Sequence, residues 1–332
     1  MFQDFANVWT PVAYSRQVRG DRPLRVSIAG TPIVLFRDAD DAPAALVDRC
    51  PHRGVALSLG RLEHGCLQCP FHGWTFDRAG RCVRVPWNPD AKRANLGALA
   101  VPTRELAGHV WVYTSVSAEP GAQPTVHESL LARDARLTGI EMSWDTHWTR
   151  AMENMLDWPH LPFVHRATIG RGLARLNEDH MEVAMEDHPW GWRVRSVMNG
   201  VPRPGLLDFR WPNQMNLHIP FRRRALTLAV TCVPVDDRHT RLLLVTARNF
   251  ARSALLDFFF DRTNRRIASE DRAIVESSVP AETPVARAEM SVRTDAPTLR
   301  FRKSYFAQLK GSSSEPPERE RGATSASVLS ER

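Results

Sequence analysis

The sequence predicts an α+β protein: an N-terminal all-β domain followed by a helix-grip domain, in which an antiparallel sheet is held by a long C-terminal helix. Three observations predict it. Short β-type runs crowd the first third, a Ser/Pro/Gly-rich stretch follows, and the remainder mixes strands with a helical stretch late in the chain. With 332 residues, 43% hydrophobic and 24% charged, there is core material for one large or two modest domains.

From Trp9 to Thr114 the runs Leu24 to Ile28, Thr31 to Phe36, Ala45 to Val47 and Val110 to Tyr113 are separated by Gly, Pro and Asp, so residues 1–115 read as one β unit. Ser115 to Thr125 (SVSAEPGAQPT) has no apolar period, which makes 116–125 a linker. Residues 126–310 carry strand runs at Met181 to Met185, Trp192 to Val197, Ala225 to Val233 and Arg241 to Ala247. Helical stretches fall around Trp148 to Asp157 and Ser253 to Ser277. In the later one Phe260, Ile267, Ile274 and Val275 form an apolar stripe at helical spacing. Residues 311–332 are almost free of apolar side chains and read as a disordered tail.

Lys+Arg 44 against Asp+Glu 37 give a net charge of +7. The tail is balanced, so the excess belongs to the body. Its densest cluster, Arg222 to Arg224, is short and lacks the interleaved aromatics that stack bases, which argues against a nucleic-acid partner. A docking surface for an acidic redox protein fits as well. No window reaches the roughly 18 apolar residues of a membrane span. The opening MFQDFANVWTPVAY lacks the basic start and apolar stretch of a secretory signal, so a cytoplasmic protein without a membrane partner is expected.

Of five cysteines, Cys50, Cys66, Cys69 and Cys82 fall close together, among His52, His64 and His72. Two segments share a design: Cys50-Pro51-His52-Arg53-Gly54 and Cys69-Pro70-Phe71-His72-Gly73-Trp74, each a turn offering one thiolate and one imidazole. Two Cys plus two His also suit zinc. A 2Fe-2S centre of Rieske type, however, puts two Cys on one iron and two His on the other, so each loop must deliver one of each. The flanking Pro and Gly suit tight turns whose N–H groups can face bridging sulfides. A zinc site on Cys66-x-x-Cys69 leaves Cys50 or Cys82 over; Cys66, Cys82, Cys232 and His64 are taken as bystanders. C-P-H-R-G followed by C-P-F-H-G-W resembles the Rieske motif of the non-haem iron oxygenases. Val55, Phe71 and Trp74 stand where the high-potential respiratory type has two extra cysteines and a serine, which implies a lower potential.

A second constellation runs from Glu153 to His165 and holds Asn154, Asp157, His160 and His165. The histidines are five apart, roughly 140° around a helix, and Pro159 and Pro162 interrupt it. A helix ending near Asp157, a bend bearing His160 and a new turn bearing His165 are expected. The pattern N-x2-D-x2-H-x4-H resembles the mononuclear iron motif of the same family. A 2-His-1-carboxylate triad needs a carboxylate. Asp271 lies inside the apolar stripe of the late helix, where its charge is costly unless a cation compensates it; Glu270 and Glu276 fall towards the polar side. The stretch Ser269 to Glu276 also resembles the family's C-terminal ligand segment.

The resemblance covers roughly residues 5 to 310 and implies the remainder. It implies a 2Fe-2S cluster on Cys50, His52, Cys69 and His72, and Fe(II) on His160, His165 and Asp271. Asp157 is implied as the carboxylate that bridges His160 to a neighbouring protomer's cluster ligand, His72, in a head-to-tail homotrimer; Asn154 stands near the iron. O2 is the implied co-substrate, with electrons from NAD(P)H through a flavin reductase or ferredoxin. Length and layout resemble the α-only members of the vanillate O-demethylase and methylxanthine N-demethylase type. The expected reaction is therefore hydroxylation, or O- or N-demethylation, of a small aromatic or heterocyclic substrate. Competing readings are a ring cis-dihydroxylating dioxygenase, a zinc-binding module and a Rieske electron carrier. Pocket walls are expected from Asn199 to Ile219 and Thr227 to Thr246, where Trp211, Asn213, Met215, Asn216 and His218 mix with aliphatics.

Overall fold

The computed structural model describes residues 1–118, 120–172, 180–221 and 224–311. Residues 312–332 of the expected tail, and Arg222 and Arg223 of the basic cluster, lie outside the described residues. Every described strand pairing is antiparallel.

The first strands are β1 (Trp9–Tyr14), β2 (Leu24–Ile28), β3 (Thr31–Arg37), β4 (Pro43–Val47), β5 (Arg61–Glu63), β6 (Cys66–Gln68), β7 (Thr75–Phe76), β8 (Cys82–Arg84), β9 (Ala100–Val101), β10 (Thr103–Leu106) and β11 (His109–Tyr113). They form three sheets, ordered β1-β11-β10, β2-β3-β4-β9 and β5-β6-β7-β8. In β3, Ile33 to Phe36 are all buried, since both faces of this β-branched and aromatic run are covered. His64 (φ 50°) and Gly65 (φ 72°) form the two-residue turn between β5 and β6, a conformation matched to strand twist, so His64 serves the turn.

Beyond residue 125 come β12 (Arg136–Trp144), β13 (Met181–His188), β14 (Gly191–Met198), β15 (Val201–Pro202), β16 (Leu206–Arg210), β17 (Gln214–Phe221), β18 (Arg224–Pro234) and β19 (Thr240–Arg248). They make one sheet in the order β12-β19-β18-β17-β16-β14-β13, with β15 beside β14. Four helices accompany it: α1 (Trp148–Leu156), α2 (Leu161–Val164), α3 (Asp257–Val275) and α4 (Ala296–Tyr305). α1 starts where His147 Nδ1 accepts the Thr149 N–H. It stops at Leu156, Asp157 being extended (φ −89°, ψ 130°) ahead of Trp158-Pro159, a dipeptide that disfavours helix.

α3 packs on β12 and is tied to the sheet by Asn264 Nδ2, which donates to Thr246 Oγ1 at 2.7 Å. Its buried residues are Asn264, Ala268, Asp271 and Val275. This corrects the stripe read from the sequence: of its four members only Val275 is buried, and Ile274 is 57% exposed. The small Ala268 and the hydrogen-bonded Asn264 face the sheet because close approach, not side-chain apolarity, selects the covered face. α4 was not foreseen at all, since its apolar residues are spread among Arg and Lys. Phe301 and Tyr305, one turn apart, are nonetheless fully buried against Trp148.

One core runs from Phe2, Phe5 and Val12 to Trp144, Trp148 and Phe301, so the β1-β11-β10 sheet packs against the large sheet and its helices. The Tyr14 hydroxyl, donating to Ile140 O at 2.6 Å, and Asn213 Nδ2, at 2.9 Å from Cys232 O and 3.0 Å from Thr10 Oγ1, bind the two parts. A second core built on Val34, Phe36, Leu46, Leu57, Leu67 and Phe76 includes Cys50 and Cys69.

Candidate metal centres

The loops at residues 50–55 and 69–74 fold alike. The Cys50 N–H donates to Val55 O (2.8 Å) and Gly54 N–H returns to Cys50 O (2.9 Å); Cys69 N–H donates to Trp74 O (2.8 Å) and Gly73 N–H returns to Cys69 O (3.1 Å). Gly54 (φ 71°) and Gly73 (φ 70°) close the turns in the left-handed region open to glycine. His52 stands two residues after its cysteine and His72 three after its own, so the equivalent turns present imidazoles from different positions.

The donors come together in like pairs. Cys50 and Cys69 are buried side by side, and the His52 and His72 rings lie 4.6 Å apart. Trp74 stacks on His52 at 4.5 Å, and His52 Nδ1 is buried with no hydrogen-bond partner among the described residues. Burial, reinforced by the adjacent Cys69 sulfur, pushes the Cys50 thiol up to about 11, so a thiolate there needs a cation beside it. Around one zinc, four ligand atoms would all lie within about 4 Å of one another. Among the described residues only His160, His165 and Asp271 bring three His, Cys, Asp or Glu donors within 4.8 Å of one another. A sulfur pair and an imidazole pair held apart suit a two-iron cluster. The chemistry of this donor set thus fits the cluster. Cys232, by contrast, is wholly buried, and Cys82 Sγ contacts Arg84 O.

The second centre is assembled from the α1–α2 turn and α3. His160 precedes α2 and His165 follows it, so the bend turns both rings towards α3. Asp271 Oδ1 lies 3.5 Å from His160 Nε2 and 3.0 Å from His165 Nε2, yet it is buried and is assigned no hydrogen-bond donor among the described residues. The far nitrogen of each ring is engaged: His160 Nδ1 is 2.9 Å from Asp157 Oδ2, and His165 Nδ1 is 2.9 Å from Glu270 Oε2. Each Nδ1 therefore carries the proton and each Nε2 turns a lone pair towards an unpaired carboxylate oxygen. That arrangement is repulsive unless a metal cation, or a second proton on His165, stands between them. Burial alone would lower the pKa of His165, but Asp271 and Glu270 outweigh it and raise it, another sign that positive charge belongs here. These residues fit a ferrous ion in a facial triad.

The helical spacing puts Glu270 towards the polar side of α3. Instead its carboxylate holds His165 and also accepts from Thr168 Oγ1 at 2.7 Å. The signal available was adjacency: consecutive helical residues point about 100° apart and can reach one imidazole from two sides. Asp157 Oδ2 also accepts the His160 backbone N–H at 2.9 Å, while its other oxygen accepts nothing among the described residues. Asn154 lines the chamber beside the three donors.

That chamber, about 90 Å³, is walled by Leu207, Met215, Leu228, Leu242 and Leu244. It shares Trp158, Leu161, Ile169 and Leu217 with an outer chamber of about 360 Å³. The walls come from the two stretches expected from sequence, and of the five residues singled out there Met215 lines the inner chamber. Asn213 is spent on Thr10 and Cys232, and His218 Nδ1 contacts Thr227 Oγ1 at 3.1 Å.

Residues 8–102 match the Rieske [2Fe-2S] domain, and residues 144–309 match the vanillate O-demethylase oxygenase C-terminal domain. The chain belongs to the Rieske oxygenases that carry this type of C-terminal domain. The methylxanthine N3-demethylase NdmB of Pseudomonas putida is 27% identical over 97% of this chain and 94% of its own length. The 3-chlorobenzoate-3,4-dioxygenase oxygenase subunit of Comamonas testosteroni is 33% identical over 70% of this chain. The chain spans from 25% to 57% of the length of the first curated relatives it matches, among them that subunit and chlorophyllide a oxygenases. The solved structure of NdmA from Pseudomonas putida CBB5 superposes with a TM-score of 0.78 at 25% identity, over 90% of this chain and 89% of NdmA. No helix among the described residues is long and apolar enough to cross a membrane.

Proposed function

We propose that this chain is the terminal oxygenase component of a Rieske monooxygenase system, which hydroxylates or demethylates a small organic substrate with O2. Electrons come from NAD(P)H through a flavin reductase or ferredoxin. In this reading residues 1–115 carry the cluster on Cys50, His52, Cys69 and His72, 116–125 connect, and 126–310 hold iron on His160, His165 and Asp271. The observation that carries it is the pair of Nε2 lone pairs facing the unpaired Asp271 oxygen, each ring fixed from behind by a carboxylate. When bound, the cluster supplies single electrons and the ferrous ion activates O2.

The residues then have distinct tasks. Asp157 and Glu270 fix the imidazole tautomers, Asp271 offsets the metal's charge, and Asn154 offers the chamber an amide. The aliphatic walls exclude water. The 90 Å³ inner chamber is smaller than the cavity of about 150 Å³ that holds benzene, so it suits a substituent better than a whole ring. This favours oxidation of a methyl or methoxy carbon over ring cis-dihydroxylation, the second reading, which the similarity to the chlorobenzoate dioxygenase subunit keeps open. Wiring between protomers of a head-to-tail trimer is supported by His72 being exposed and by Asp157 being partly exposed with one oxygen free. A cytoplasmic location belongs to this reading as well.

Metal analysis and reduced-state electron paramagnetic resonance of anaerobically purified protein test the assignment. About three irons per chain and a Rieske signal are expected, together with reductase-dependent O2 uptake on methoxy or N-methyl ring compounds. Colourless protein holding only zinc would refute it.

A further inference from the structure

Above the metal centre, the outer chamber is apolar apart from one strongly polar group. Among its described lining residues Arg203 is the sole ionisable one; Ser196 and Thr294 are neutral, and Trp158, Phe163, Met198 and Ile219 supply much of the wall. Two arginines of this sheet, by contrast, are matched: Arg193 is held by Asp208 at 2.7 Å and Arg136 by Asp257. The Arg203 guanidinium has no carboxylate and no hydrogen-bond acceptor among the described residues.

Its backbone is fixed. Arg203 lies between Pro202 and Pro204, and its N–H donates to Ser196 O at 2.9 Å. The next residue, Gly205, lets Trp158 pass: a Cβ there would stand 3.2 Å from the indole. An arginine that lines an apolar chamber, with no anion paired to it among the described residues, suits an anionic group, and guanidinium matches a carboxylate in shape.

We propose that Arg203 anchors a carboxylate of the substrate. The substrate class is then a planar organic acid: its ring lies in the outer chamber against Trp158, its acid group rests on Arg203, and a one-carbon substituent reaches the inner chamber. This rests on the oxygenase reading for its orientation, but not for the binding preference itself.

Anaerobic holoenzyme without reductant is titrated, following tryptophan fluorescence, with benzoate, 3-methoxybenzoate and 4-methoxybenzoate and with the corresponding neutral amides. At least one acid should bind about tenfold or more tightly than its amide, as a charge-assisted contact in an apolar site implies. In Arg203→Gln that ratio should fall to near one, and in Arg203→Lys it should partly return. Equal affinity for acids and amides, no binding of any acid, or an unchanged preference in Arg203→Gln overturns the proposal. Iron content and cluster absorbance are read on the same samples. Their absence refutes the oxygenase reading, while the acid-to-amide ratio still reports on Arg203.

Discussion

Replacing Glu270 by Ala tests the architecture of the metal centre most directly, because Glu270 touches the ligand His165 and lies outside the proposed ligand set. Glu270 Oε2 accepts from His165 Nδ1 at 2.9 Å and from Thr168 Oγ1 at 2.7 Å, with its side chain 21% exposed. A charge-assisted hydrogen bond contributes about 1.5–3 kcal/mol, and partial exposure places this one at the lower end. Without it the His165 ring is free to rotate and to change tautomer. Removing such a support typically weakens metal binding about 10–100-fold, or roughly 1.4–2.8 kcal/mol. Glu270→Ala should therefore bind Fe(II), or Co(II) as a visible surrogate, about tenfold more weakly in anaerobic competition with a chelator. Glu270→Gln keeps an acceptor and should lose less. Thr168→Val, which removes a donor to Glu270 but leaves His165 held, should stay near the wild-type value. Cluster absorbance serves as the internal control. Wild-type metal affinity in Glu270→Ala would refute the reasoning, and so would a parallel loss of the cluster, which would mark general damage.

Asp157→Asn retains an acceptor for His160 Nδ1, so both metals should remain bound while turnover falls at least about tenfold; full activity at unchanged iron content counts against an electron relay through this carboxylate. Phe301→Ala empties a site with no exposure between Trp148, Phe209 and Tyr305, and should cost about 3–5 kcal/mol in urea unfolding. Hydrogen bonding first to Arg150, and then to Arg302, outweighs burial and holds Glu289 at about 2, against an ordinary 4.5. With its native pKa depressed, Glu289 contributes fully above about pH 4.5 and loses its contribution as pH falls towards 2. Urea midpoints measured across that interval should decline less steeply in Glu289→Gln than in wild type.

What could be read from the chain alone was whatever covalent neighbours settle. Cys50 and His52, Cys69 and His72, and Asp157, His160 and His165 each lie within one turn or bend, so spacing and the Pro and Gly around them state the local geometry. The runs that become β2, β3, β4, β11, β13, β14, β18 and β19 were legible too, since alternation and turn residues act over a few positions, whereas β1, β12 and the short strands β5 to β8 were not. Asp271 could be singled out because a carboxylate on a buried helix face is costly on its own, even though the face itself was drawn wrongly.

The sequence did not reveal which side of α3 the sheet would cover, that Phe301 and Tyr305 would form a helix against Trp148, or that Glu270 would reach His165 from 105 residues away. Nor did it reveal that Arg203 would line an apolar chamber without a carboxylate partner among the described residues. These depend on which surfaces meet, and contact between distant segments is fixed by close packing and by the pairing of buried polar groups, neither of which leaves a periodic trace along the chain.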